Sequence, residues 1–169
     1  MDFLTDLESC IPSLRRYARA LLRDGDRADD LVQDCLERAL SRRHLWRGGA
    51  SLRPWLFKIM HNVFANQARA RAGRPHAQPI EQLGDGGVGI PADQGHRLAL
   101  AEMARALESL PEEQRRTVLL VALEGLSYQE VAEAMDVPIG TVMSRLSRAR
   151  ERLRALTAAE PGPSLRRVK

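Results

Sequence analysis

Apolar residues recur along the first part of this chain at steps of three and four. Leu4, Leu7, Ile11, Leu14, Tyr17 with Ala18, and Leu21 form one stripe, the spacing of a helix that buries one face. Asp24-Gly25-Asp26 interrupts it. A second stripe follows in Ala28, Leu31, Val32, Cys35, Leu36, Ala39 and Leu40, sustained over three turns. Asp26, Asp29 and Asp30 stand near its start, where acids favour the positive end of a helix. Gln33, Asp34, Glu37 and Arg38 fall on its other face. Gly48-Gly49 predicts a loop. A third stripe comprises Leu52, Trp55, Leu56, Ile59, Met60 and Val63, with Pro54 tolerable in the first turn. Trp55 is expected in the core, and Trp46 and Phe57 in more open positions.

The later part is helical too. Leu98 to Leu110 is amphipathic. Pro111-Glu112-Glu113 opens a helix that runs through Val118, Leu119, Val121 and Ala122 to Gly125, a natural C-terminal stop. Ser127-Tyr128-Gln129-Glu130 has the form of a capping box. The short helix it starts buries Val131, Ala132 and Met135 and ends at Asp136-Val137-Pro138. The turn Ile139-Gly140 then leads into a last helix, with Val142, Leu146, Ala149, Leu153 and Leu156 as its buried stripe. Ser144, Arg145, Ser147, Arg148, Arg152 and Arg154 are left outside that stripe.

Between the two helical parts, Ala72 to Gly95 carries six glycines and three prolines in 24 residues. No helical or strand period survives there. The expected fold class is therefore all-α: two small helical domains, residues 1–72 and 98–157, joined by a flexible Gly/Pro-rich linker at 73–97. A disordered tail is expected at 158–169. The second domain reads as a helix-turn-helix.

Composition narrows the function. The 169 residues carry a net charge of +4, and 44% are hydrophobic, as in a soluble globular chain. There is no apolar run of about 18 residues, so no membrane insertion is expected. The acidic start, Met1-Asp2-Phe3-Leu4-Thr5-Asp6, does not resemble a signal peptide. The expected location is the cytoplasm. Cys10 and Cys35 are too few for a disulfide framework or a thiolate zinc site, and both are expected to act as small apolar residues. His44, His61, His76 and His96 lack ligand spacing. No metal or cofactor is expected. With no nucleophile–base pair or phosphate loop, the chain is expected not to be an enzyme.

The small net charge conceals segregation. Residues 1–72 hold thirteen basic and nine acidic side chains, and residues 137–157 hold five and one. Residues 98–136 hold three and eight. Two basic segments suggest a polyanion met at two places, although a solvated helix face would explain charge alone. The helix-turn-helix sharpens the point. Its second helix would lie in a major groove, where arginine pairs with guanine and serine bonds either way. Arg152 and Arg154 suit phosphate.

These segments bring a family into view. Leu110-Pro111-Glu112-Glu113-Gln114-Arg115, then Gly125 to Ala132, then Gly140-Thr141-Val142-Met143-Ser144-Arg145-Leu146 with Arg148-Ala149-Arg150, together resemble the promoter-reading C-terminal domain of bacterial sigma factors. Ala28-Asp29-Asp30-Leu31-Val32-Gln33-Asp34 is similar to the polymerase-binding helix of the other sigma domain. Trp46-Arg47-Gly48-Gly49 and Trp55-Leu56-Phe57-Lys58-Ile59 with His61-Asn62 are similar to its promoter-melting part. The resemblance covers about residues 5–157. With only two domains, the chain resembles the extracytoplasmic-function (ECF) sigma factors.

The resemblance implies a non-enzymatic initiation factor of the bacterial cytoplasm. Asp30, Gln33, Asp34 and Arg38 would dock the largest catalytic subunit of core RNA polymerase, and the second domain would touch the flap of the other large subunit. Arg47, Gly48, Gly49 and Ser51 would form the loop that takes a flipped base of the −10 element. Asn62 and Asn66 would sit near its upstream edge. Thr141, Ser144, Arg145, Ser147 and Arg148 would read the −35 element. The family habit also implies a cognate anti-sigma factor. Met143 departs from the basic residue many relatives carry there, and Asn66 from their aspartate. Two other readings fit less of the chain: a stand-alone helix-turn-helix regulator, and a sigma mimic that binds only an anti-sigma factor.

Overall fold

The computed structural model describes residues 2–48, 51–72 and 94–159. Among these there are seven α-helices and no strand, as the periodicity predicts. The first three are α1 (Phe3–Leu22), α2 (Gly25–Ser41) and α3 (Leu52–Ala72), with a short 3-10 turn at Arg43–Leu45 after α2. Asp24 caps α2, its carboxylate accepting from the Arg27 N–H at 3.1 Å. α1 crosses Pro12, whose missing N–H costs one helical bond, and ends at Arg23 in the left-handed conformation (φ +53°). Leu14, Leu31, Leu56, Met60 and Val63 are fully buried where the three helices meet.

The later helices are α4 (Gln94–Glu108), α5 (Glu112–Val118), α6 (Tyr128–Met135) and α7 (Ile139–Ala159). α5 continues as a π-turn over Leu119–Leu123, where one regular helix was expected. Gly125 then stops the chain with φ +66°. Its N–H and that of Leu126 close onto the carbonyls of Val121 and Leu120. The capping box of α6 forms as expected, with the Ser127 and Glu130 side chains each accepting from the other's backbone N–H.

Some expected boundaries move. Helix α4 begins at Gln94, inside the expected linker, and α7 persists to Ala159, past the expected start of the tail. The rest of the linker, 73–93, and of the tail, 160–169, lie outside the described residues. Three outer members of the apolar stripes are exposed, namely Leu4, Leu40 and Leu156. Phe57 is 2% exposed rather than open: it stands edge-on to Tyr17 at 5.2 Å, filling the space between α1 and α3.

The two halves do not stand apart. One cluster of buried apolar residues runs from Leu7 through Phe64 to Leu146. α6 packs on α3, and the π-turn packs on α1. Ion pairs cross the seam as well: Arg23 with Glu108, and Arg16 and Arg53 with Glu124.

Candidate functional site

Three surfaces were expected to carry function, and the helices present each differently. On α2, Asp30 and Gln33 are exposed, and Gln33 donates to Glu37 one turn on, at 3.1 Å. Asp34 is half-buried and accepts a hydrogen bond from Gln67 of α3 at 2.8 Å. Part of its bonding capacity therefore joins α2 to α3. Arg38, also half-buried, lies near Cys35, whose thiol burial pushes up to about 12 against the pull of that charge. The four residues expected to dock one polymerase subunit thus divide into an open pair and a partly engaged pair.

The second surface begins after the 3-10 turn. Arg47 and Ser51 are exposed, and Gly48 takes φ +68°, a conformation that a side chain would strain. Gly49 lies outside the described residues. Beneath this segment Phe3 packs on Trp46 at 5.7 Å and on Trp55 at 6.3 Å. The N-terminal Phe3, which sequence reasoning left out, thereby supports the aromatic base of the loop. Along α3, Asn62, Asn66 and Arg69 are all exposed and follow i, i+4, i+7 spacing, so they share one solvent face. Lys58 is exposed one turn earlier.

The third surface is the helix-turn-helix. Asp136 ends α6 in the left-handed conformation (φ +54°), and the Val137 N–H bonds the Ala132 carbonyl at 3.0 Å. Pro138 then accepts from the Thr141 N–H at 2.9 Å, which starts α7. Val142, Leu146 and Ala149 are buried and hold α7 against the domain. Ser144, Ser147 and Arg148 stand exposed on the opposite side, and Thr141 is half-covered. Arg145 differs: its side chain is 20% exposed and pairs with Glu113 of α5 at 2.9 Å. Arg150 donates to the Tyr128 hydroxyl at 3.3 Å, bracing α7 on α6.

Between the second and third surfaces lies a polar seam that sequence reasoning missed. Glu124 is a glutamate with no exposed side-chain area. Arg16 holds it bidentately, Nε at 3.0 Å from Oε1 and Nη2 at 2.8 Å from Oε2. Arg53 Nη2 adds a bond to Oε2 at 2.7 Å, and the Ser13 hydroxyl also donates to Oε2. Burial alone would push the Glu124 carboxyl up. The hydrogen bonds from Arg16, Ser13 and Arg53 outweigh it and hold the group below the usual carboxylate range.

A second seam contact centres on Arg116, which is 2% exposed. Its guanidinium stacks over Phe64 at 4.9 Å. It faces Glu112 at 3.4 Å and Glu113 at 3.3 Å, and it donates to His61 Nδ1. Burial first, then the Arg116 charge, lower the His61 pKa to about 4. His61 immediately precedes Asn62, so the polar face of α3 begins at the edge of the seam. Among the described residues no three His, Cys, Asp or Glu side chains gather as a metal site requires. No helix there is long and apolar enough to cross a membrane.

Comparison with known proteins bears on the same surfaces. Residues 7–61 match the family model described as the Sigma2 domain of PhyR, and residues 100–153 match Sigma-70, region 4. The ECF RNA polymerase sigma factor EcfG of Rhodopseudomonas palustris (strain TIE-1) is 36% identical over 157 residues, covering 89% of this chain and 82% of that protein. The ECF RNA polymerase sigma-E factor of Escherichia coli (strain K12) is 36% identical over 132 residues, 72% of this chain and 69% of its own. Among solved structures, the sigma factor RpoE of Bartonella quintana, in complex with the anti-sigma factor NepR, superposes with a TM-score of 0.78. It is 35% identical, over 95% of this chain and 99% of that one. CnrH, in complex with the cytosolic domain of CnrY, gives a TM-score of 0.67 at 25% identity, over 92% of this chain and 86% of that one.

Proposed function

This chain belongs to the ECF sigma factor family, and on that premise we propose that it binds core RNA polymerase, recognises −10 and −35 promoter elements and promotes strand opening. The observation that carries this reading is α7. A capped helix and a tight turn present Ser144, Ser147 and Arg148 outward on one face of a helix whose other face is buried. Such a helix can enter a major groove and bond base edges.

The open pair Asp30 and Gln33 on α2 would meet the largest polymerase subunit, and the second domain would meet the flap of the other. Asp34 and Arg38 would support that docking from their half-buried positions. Arg47, Gly48, Gly49 and Ser51 would take the flipped −10 base. A few kcal/mol of unstacking must be offset there by pocket contacts, and the Phe3–Trp46–Trp55 base would keep the loop in place. Asn62 and Asn66 would line the strand upstream. Bond formation would belong to the polymerase, so the chain itself would carry out no reaction, and it would work in the cytoplasm. RpoE is solved with the anti-sigma factor NepR, which supports a cognate anti-sigma partner here too.

Run-off transcription tests the proposal: purified core polymerase plus this protein over a promoter library should yield discrete transcripts. A second reading, a sigma mimic that only captures an anti-sigma factor, draws on the match of residues 7–61 to the Sigma2 domain of PhyR. It predicts binding to an anti-sigma factor with no transcript from any promoter.

A further inference from the structure

We propose that Ser13, Arg16 and Arg53 form an oxyanion cradle for a backbone phosphate of promoter DNA, and that Glu124 of the C-terminal half occupies this cradle while the two halves are closed together. The proposal rests on the sigma-factor reading above.

The cradle belongs wholly to the N-terminal half. Ser13 and Arg16 lie one turn apart on α1, and Arg53 stands in the first turn of α3. Arg53 Nε also donates to Ser13 Oγ at 3.1 Å, so these two groups are set against each other without help from the carboxylate. The Arg53 guanidinium lies 5.9 Å from the centre of the buried Phe57 ring, which fixes its direction. Among the described ion pairs, neither arginine has an acidic partner in the N-terminal half. Removing Glu124 would leave two adjacent cations and a hydroxyl aimed at one point.

That donor set fits a phosphate as well as a carboxylate. A guanidinium binds either anion through two parallel N–H bonds. A phosphate offers more acceptor oxygens than Glu124 does and neutralises the same pair of charges. Place also points to DNA. Ser51, in the segment expected to hold the flipped −10 base, and Arg53 line the same small cleft, about 80 Å³, with Pro54, Gly125, Leu126 and the acidic Glu130. A strand bound at the loop would run past the cradle once the halves part. In the closed arrangement the carboxylate stands where the phosphate would.

Two measurements test this. With holoenzyme on duplex promoter DNA, Arg16→Gln/Arg53→Gln should weaken binding to every promoter alike. It should also flatten the slope of log affinity against log salt by about 0.7–0.9, the value of one phosphate contact. An unchanged slope overturns the proposal. The second uses the free full-length chain and a short single-stranded oligonucleotide. Glu124→Gln should raise its affinity several-fold, and Glu124→Gln/Arg16→Gln/Arg53→Gln should abolish the gain. This pair leaves no unpaired buried carboxylate, so it stays informative if the double arginine variant folds poorly. A gain that persists in the triple variant, or no gain at all, overturns the cradle. If wild-type holoenzyme binds no promoter, the sigma-factor reading fails, and the free-chain comparison still decides the cradle.

Discussion

Arg145 and Glu113 pair across the helix-turn-helix domain at 2.9 Å, tying α7 to α5. Arg148, one turn further on, is exposed. Two arginines with the same expected role therefore differ in what their loss should do. Arg148→Ala should weaken promoter binding by about 1–3 kcal/mol and relax preference at one −35 position, with no change in thermal stability. Arg145→Ala should also lower stability, by about 0.2–1 kcal/mol, the usual worth of a partly exposed pair. Binding to a −35 library, set beside thermal melts of each variant, separates the two. An unchanged −35 preference in Arg148→Ala would remove it from the readers.

What the sequence made legible was local. The Ser127–Glu130 box lies within four residues, and the apolar stripes repeat within a turn, so short-range rules suffice. The exposure of Ser144, Ser147 and Arg148 followed from the buried stripe of α7, since they face away from Val142, Leu146 and Ala149. The pairing of Arg145 with Glu113 was not legible because Glu113 lies 32 positions earlier, beyond any local rule. Arg16, Arg53 and Glu124 each look like ordinary surface charge in their own helices. Only the approach of segments 71 and 108 residues apart joins them. The two basic segments suggest a polyanion met at two places. In the fold, part of the acidic stretch is taken up by the chain's own arginines. Phe57 failed for a related reason: α3 is covered on two sides, so a residue off its main stripe is buried as well.

Acid should loosen the seam at His61. A histidine in the unfolded chain takes up its proton near the ordinary value of 6.5, and His61 in the fold only near 4. Between those values the unfolded state binds more protons, so stability falls as pH drops from about 6.5 to about 4. Above that window the contribution is fully present. Glu113 and Asp136 face the ring with the opposite influence to Arg116 and Arg145, and they temper the effect. His61→Gln, which keeps an acceptor for Arg116, should flatten this part of the profile. Urea midpoints at pH 7, 5.5 and 4.5 would show it. Parallel falls in the two proteins would mean that another group titrates.

The cysteines should behave unequally. Cys35 is buried, and its thiol donates to the Leu56 carbonyl at 3.5 Å. Burial also raises the Cys10 thiol, but the residue is only half-covered. Iodoacetamide at pH 8 should label Cys10 slowly in the folded chain and leave Cys35 untouched, and in urea it should label both. Mass spectrometry of tryptic peptides reads the result, and early labelling of Cys35 would show that α2 opens locally.

Ser127→Ala should cost about 1 kcal/mol of stability. The hydroxyl accepts from the Glu130 N–H at 3.2 Å, and the Glu130 carboxylate accepts from the Ser127 N–H at 2.8 Å. Ser127→Asp should recover most of the loss, because a carboxylate can cap the same N–H. Chemical denaturation of the three proteins checks the order.

The π-turn carries a consequence for evolution by insertion and deletion. A regular helix turns by about 100° per residue, and bonding i to i+5 takes up one extra residue within the same rise. The Glu124 N–H closes on the Leu119 carbonyl at 3.1 Å in this wider way. Its carboxylate is thereby set back in azimuth by about one residue step relative to an unbroken α-helix. Deleting one residue between Leu119 and Leu123 would take out the extra residue and leave Glu124 facing Arg16 and Arg53 from a regular α-helix. Regularising the turn at full length would instead advance Glu124 by about one residue step and turn it away, with every charge in the chain unaltered. Helical phase at this single turn, rather than composition, sets whether the two halves meet through their charges.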